Sequence, residues 1–139
     1  MYTQASREGV LKLTDFGLAL ELKSTDPPYT EKCGTPAFVA PEVLHRSAHL
    51  RADEWSAGVL IYRLLAGRIP FQGDNNGALF SAIQSAAPDV TSPPWDGVSQ
   101  EAKDVVLALL TKDPSSRPTA QAALRMPWFA TTSRWRPPA

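Results

Sequence analysis

Among the first fifty residues, Asp15, Cys33, Thr35, Glu42, His45 and His49 are side chains whose types could do chemistry. Asp15 opens the tripeptide Asp15-Phe16-Gly17. A carboxylate is the hard oxygen donor that a divalent cation selects, and Gly17 frees the backbone beside it. The tripeptide alone is a weak signal, since an isolated aspartate more often caps a helix or a turn. Cys33 is the single cysteine, which excludes an internal disulfide and fits a reducing compartment. It reads as a structural thiol. His45 and His49 stand at i, i+4, a metal spacing on a helix, but no zinc pattern completes them and no metal is assigned. Thr25, Tyr29 and Thr30 lie in a stretch dense in turn residues. A phosphate on one of them adds about −1.5 to −2 charge and can order such a loop against an arginine.

These side chains need a frame, and the 139 residues provide for one domain. A domain of that length buries roughly 68–70% of its unfolded surface. Fourteen basic and fourteen acidic residues cancel, so no bulk field favours nucleic acid or an anionic membrane. The longest apolar stretch is too short to span a bilayer, and Met1-Tyr2-Thr3-Gln4 lacks the features of a signal peptide. The expected location is cytoplasmic, with the nucleus equally open.

Val10-Leu11-Lys12-Leu13-Thr14 alternates as a short strand ending at Asp15, and residues 18–32 read as a loop. A short helix opens at Pro41, where proline in the first turn costs no hydrogen bond. The segment from Asp53 to Gly67 predicts the central helix, with Asp53 as N-cap and Gly67 as stop. Trp55, Ala57, Val59, Leu60, Ile61, Tyr62, Leu64 and Leu65 cover nearly every face of it, which predicts burial all round. Further helices are expected over 77–86, 99–110 and 119–125. In the second of these, Ala102, Val105, Val106, Leu109 and Leu110 share one face. Pro127 is expected to end the last helix. There is no internal repeat.

Taken in order, Asp15-Phe16-Gly17, Cys33-Gly34-Thr35-Pro36 and Ala40-Pro41-Glu42 resemble the motifs of a eukaryotic-type protein kinase. The likeness continues through Asp53-Glu54-Trp55-Ser56-Ala57-Gly58-Val59, Gly67-Arg68-Ile69-Pro70-Phe71, Ser92-Pro93-Pro94-Trp95 and Ala102-Lys103-Asp104. It ends with residues 112–118, Lys-Asp-Pro-Ser-Ser-Arg-Pro, and Pro127-Trp128-Phe129. The run looks most like the calcium/calmodulin-dependent branch, including the plant and protist calcium-dependent kinases. The resemblance implies a mainly α fold, the helical C-terminal lobe of a kinase, with a short β-strand pair before the activation loop and no N-terminal lobe. It places a partial kinase domain over 1–129, an activation loop over 15–42 and a flexible tail over 130–139.

The resemblance also assigns roles. Asp15 would hold Mg²⁺ against the terminal phosphates of ATP, Phe16 would pack beneath the other lobe, and Gly17 would let the loop swing. Thr35 resembles the residue that bonds the catalytic aspartate and lysine of Ser/Thr kinases, which favours Ser or Thr as acceptor. Glu42 and Arg117 resemble a buried ion pair that fixes the substrate-docking loop, and Asp53 the residue that holds the catalytic loop. Leu60 and Leu64 match the base of the apolar stack under the adenine. Thr25, Tyr29 and Thr30 are the candidate phosphosites. Glu31 stands where many relatives phosphorylate a threonine, and is expected to mimic that phosphate weakly.

The departures matter as much. No Gly-rich loop, Val-Ala-Ile-Lys strand or His-Arg-Asp loop precedes Asp15, and His45-Arg46-Ser47 is no substitute. Met1 is therefore expected to be internal to a larger protein, and the chain alone to be catalytically incompetent. Arg63 occupies a position where some relatives that favour basic substrates carry an acidic residue. The expected partners are protein substrates, with calcium or calmodulin control outside this chain, no nucleic acid and no membrane, and a monomer in the intact kinase. The alternative is a non-catalytic lobe that acts as an interaction module.

Overall fold

Two helices that meet at a glycine organise the molecule. The computed structural model describes residues 12–21, 23, 26–27, 30, 34–47 and 50–131. Six α-helices run through them in order: α1 Pro41–Leu44, α2 Ala52–Ala66, α3 Asn76–Ser85, α4 Gln100–Leu109, α5 Ala120–Ala123 and α6 Pro127–Thr131. Short 3-10 turns cover Phe16–Leu18, Pro36–Phe38 and Trp95–Gly97.

α2 forms where the sequence supplies Asp53 and Glu54 in the first turn and Arg63 in the last, which suits the helix dipole at both ends. It stops at Gly67, whose φ of 69° is left-handed and whose N–H reaches Arg63 O at 2.9 Å. Trp55, Gly58, Val59 and Tyr62 recur at i, i+3, i+4 and i+7 and are the buried face. α4 lies across them with Ala102, Val105, Val106 and Leu109 buried. At the crossing, a Cβ on Gly58 would lie 2.8 Å from Leu109 Cβ, so the close approach requires glycine.

Capping side chains start the other helices. Asn75 accepts from Ala78 N at 3.0 Å for α3, Ser99 from Ala102 N at 3.3 Å for α4, and Thr119 from Ala122 N at 2.9 Å for α5. The main core joins Trp55, Val59, Tyr62, Phe71, Ile83, Trp95, Val106 and Leu110. Its rings pair as a Trp55–Phe71 stack at 5.6 Å and a tilted Tyr62–Trp95 contact at 4.8 Å. A second cluster gathers Val105, Leu109 and Ala123 with Ile61, Met126, Trp128 and Phe129.

Five expectations are corrected here. Arg51 occupies the N-cap position of α2 without a side-chain capping bond, and Asp53 sits exposed in the first turn. The helix starts early because Ala52 already has helical geometry. α2 is buried on one face only: Leu60 is 49% and Leu64 75% exposed. Pro127 opens α6 instead of ending α5, in the first-turn position where its missing N–H costs nothing. α5 is four residues long, shorter than the expected 119–125. No strand occurs among the described residues; Lys12 to Thr14 belong to none, and Val10 and Leu11 lie outside them. Thr25, Tyr29, Glu31, Cys33, His49 and the tail beyond 131 lie outside the described residues as well. No helix among the described residues is long and apolar enough to cross a membrane.

Candidate functional site

The strap from Gly34 to Ser47 is the part of the early chain that the helical core grips. Thr35 is extended and exposed, and its carbonyl receives Phe38 N at 2.9 Å to start the Pro36–Phe38 turn. Phe38 O in turn accepts from Ser56 Oγ of α2 at 2.9 Å. Ala40 is buried, and Pro41 begins α1, whose N-terminal turn receives Glu42. Beyond α1 the chain folds back, and Ser47 donates to Glu42 O through both its N–H, at 3.0 Å, and its Oγ, at 3.1 Å.

Glu42 and Arg117 meet as a two-pronged pair, with Nη1 to Oε1 at 2.6 Å and Nη2 to Oε2 at 3.0 Å. Both side chains are buried, at 0% exposure for Arg117 and 5% for Glu42. Arg117 spends its remaining donors on carbonyls: Nε on Thr111 O at 3.0 Å, Nη1 on Arg51 O at 2.5 Å and Nη2 on Lys112 O at 3.3 Å. All five N–H bonds that a guanidinium offers thus have partners. Its carbon also lies 5.2 Å from the centroid of the Trp55 ring. One arginine therefore ties α1, the start of α2 and the segment after α4 into a single block.

The other expected site residues lie apart from this block or at its edge. Asp15 is exposed and left-handed, with φ and ψ both 66°, and it precedes the Phe16–Leu18 turn without capping it. Phe16 is 67% exposed, and Leu13, Leu18 and Leu20 are exposed too. Asp53 is exposed at the start of α2, on the helix whose Leu60 and Leu64 also face outward. Thr30 is exposed. The described residues contain no cluster of three or more metal-binding side chains. His45 contacts Gln84, Nε2 to Nε2 at 3.0 Å.

Two side chains that hold this region together escaped the sequence reading. Ser56 is a small hydroxyl within a largely apolar helix, and asking what it bonds would have pointed to the strap. Lys112 gave no signal beyond its place in a kinase-like run. Its Nζ lies 3.9 Å from the Phe71 ring centroid and 4.8 Å from that of Trp55. Burial, and after it the guanidinium of Arg117, lower its pKa from 10.5 to about 8.

The protein kinase domain family matches residues 3–129. The chain belongs to that family. It is 42% identical over 121 residues to "Serine/threonine-protein kinase PEPKR2" of Arabidopsis thaliana, covering 87% of this chain and 26% of that protein. It is 40% identical over 129 residues to "Calcium-dependent protein kinase 25" of the same plant, covering 93% and 25%. It is 39% identical over 126 residues to "Calcium/calmodulin-dependent protein kinase type II subunit delta" of Oryctolagus cuniculus, covering 90% and 24%. The chain thus spans about a quarter of the length of the curated relatives it matches. It is part of a protein kinase domain, and over most of its length it is similar to calcium-dependent and calcium/calmodulin-dependent kinases. Its helical architecture fits the C-terminal lobe of that domain, and kinases of this family generally use ATP and Mg²⁺ and act on protein substrates.

Proposed function

We propose that this chain is the metal-binding and substrate-docking part of a protein kinase that transfers the γ-phosphoryl group of ATP to Ser or Thr of a protein. The observation that carries the reading is the buried Glu42–Arg117 fork, which fixes the strap just downstream of Thr35 against the helical core. A strap held in this way presents a rigid edge to an extended peptide, and positioning is most of what such catalysis asks of the protein. Thr35 lies at the outer end of the edge, and its identity supports Ser or Thr as the acceptor. Asp15 is one exposed carboxylate, which suits Mg²⁺, because that ion keeps several waters and takes one or two protein carboxylates. With Mg²⁺-ATP bound, the ion would neutralise charge at the transferring phosphoryl group.

Phe16 and the outward Leu60 and Leu64 would be covered by the rest of the kinase domain. Phosphate on Thr25, Tyr29 or Thr30 would tune the loop, and calcium control would belong to regions of the parent protein other than these 139 residues. The parent would work in the cytoplasm or nucleus. The chain by itself would not transfer phosphate, since its sequence contains no His-Arg-Asp base.

The test is a kinase assay on the longest protein that the source organism makes from this sequence. With Mg²⁺-ATP and a mixed peptide pool, the protein should label Ser and Thr and leave Tyr unlabelled. Asp15→Asn should lower kcat by at least about 100-fold, as expected when one charge-stabilising contact is removed. A long, folded protein with no ATP-dependent labelling would count against the reading. A second reading, a non-catalytic interaction module, draws support from the outward Leu60, Leu64, Phe16 and Leu18. It requires that the native product have the mass of this chain alone and that it co-elute with a partner.

A further inference from the structure

Ala57 and Ile61 of α2, Leu109 of α4, Ala123 of α5, and Leu124 and Phe129 after it line an apolar groove of about 420 Å³. Phe129 belongs to α6, so four helices meet around one seam. The seam is open to solvent: Leu124 is 39% exposed, and Ala57 is exposed as well. Apolar surface left wet in this way favours a cover.

The α2 wall of the groove also carries two carboxylates, Asp53 and Glu54. Asp53 is exposed, and its carboxylate has no partner among the described residues. Glu54 Oε1 accepts from Ala120 N at 3.2 Å and lies 3.7 Å from Arg51 Nη1, while Oε2 is buried and meets no donor. Two carboxylates thus stand against one guanidinium. A cover that fits this wall is apolar at its centre and cationic beside it.

The sequence holds such a segment a few residues away. Arg134-Trp135-Arg136 sets one large aromatic ring between two guanidinium groups. Trp135 follows Thr131, the last residue of α6, by four positions. Four extended residues reach about 13–14 Å, more than the roughly 8–10 Å between packed helices. Phe129 already lines the groove, so the segment starts beside it. A tether this short presents the segment at an effective concentration of order mM, and a weak contact is then enough to fill the site.

We propose that the groove between α2, α4, α5 and α6 is the seat of this chain's own residues 133–137, with the Trp135 indole laid on Ile61, Leu124 and Phe129 and a flanking arginine on the Asp53 carboxylate. A buried aromatic ring covers about 150–250 Å². An exposed ion pair adds little and is weakened by salt. The ring therefore supplies most of the hold, and the charges set which wall the segment faces. The seated segment also keeps other cations and donors away from Asp53.

The experiment uses the 139-residue chain with 5-fluorotryptophan in place of tryptophan, and reads its four indoles by fluorine NMR. Trp135→Phe identifies the Trp135 line by its loss, and a peptide of residues 130–139 gives the line of an uncovered indole. The expected result is a Trp135 line displaced from that of the peptide. Asp53→Lys and Leu124→Lys change exposed positions, so the fold, checked by far-UV circular dichroism, should persist. Each should carry the line toward the peptide's position, with the uncovered share rising about threefold or more. Leu107→Lys is the control, since Leu107 is 39% exposed as Leu124 is but does not line the groove, and it should leave the line in place. A Trp135 line at the peptide's position in the otherwise unchanged chain would overturn the proposal and leave the groove to another part of the parent protein. A displaced line that ignores both Asp53→Lys and Leu124→Lys would overturn it too, by placing the indole elsewhere. A displacement that fades on dilution would overturn it in favour of a second copy as the occupant.

Discussion

Removing the guanidinium at position 117 should be among the most damaging single changes in this domain. Arg117→Met leaves Glu42, 5% exposed, as a buried carboxylate without its fork. Breaking a buried pair in this way costs about 3–5 kcal/mol. The same change strips the carbonyls of Thr111, Arg51 and Lys112 of a donor, each worth about 1 kcal/mol if water does not enter. With water reaching those carbonyls the pair sets the scale, and the expected loss is about 5 kcal/mol, a large part of the whole stability of a domain this size, roughly 7–15 kcal/mol. In thermal terms that is about 15–20 °C. Urea unfolding followed by circular dichroism measures it, with an unchanged m-value as the sign that the same surface is exposed. Glu42→Leu combined with Arg117→Met removes both charges, and should recover part of the loss of either single variant. If Arg117→Met lost less than about 1 kcal/mol, or the double variant lost the sum of the two singles, the fork would not be the anchor described here.

Other substitutions probe the frame and the strap. Gly58→Val should cost about 3 kcal/mol, because its Cβ would meet Leu109 at 2.8 Å, while Gly97→Ala, with nothing within 4 Å, should stay within about 0.5 kcal/mol of wild type in the same unfolding assay. Ser99→Ala removes the acceptor for Ala102 N and should cost about 1 kcal/mol, visible as a lower urea midpoint. Lys112 gives a pH dependence. Its folded pKa of about 8 lies below the unfolded value of 10.5, so between those limits the unfolded chain binds more protons at this site. Its contribution to stability therefore rises from pH 8 to 10.5 and is flat below. The stability of wild type minus that of Lys112→Met, measured by urea titration at each pH, should climb through that window. A flat difference would show that the folded state does not perturb the amine.

The helices were legible where local chemistry decides them. Ser99, Thr119 and Gly67 mark their ends in the sequence, and the face of α4 is written at i, i+3, i+4 and i+7. Two kinds of feature were not legible locally. Asp53 looked like a cap because nothing in the sequence says that Ala52 is already helical. The outward Leu60 and Leu64 read as core because hydrophobicity records that a residue should be covered, but not by what. The Glu42–Arg117 pair came only from likeness to kinases, since no spacing rule joins residues 75 positions apart. The carbonyl partners of Arg117, the Ser56 tether and the setting of Lys112 belong to tertiary structure alone.

The distance along the chain between Glu42 and Arg117 also sets an order of events during synthesis. At roughly 5–20 residues per second, Arg117 is made about 4–15 s after Glu42. Throughout that interval the strap exists without the cation that will hold it, and for most of it the carbonyl of Arg51 waits for the same side chain. The docking edge is thus among the last parts to be locked, after the helices that flank it have had time to form. A ribosome stalled before residue 117 would display an unfastened strap, which would close only once Arg117 had left the exit tunnel.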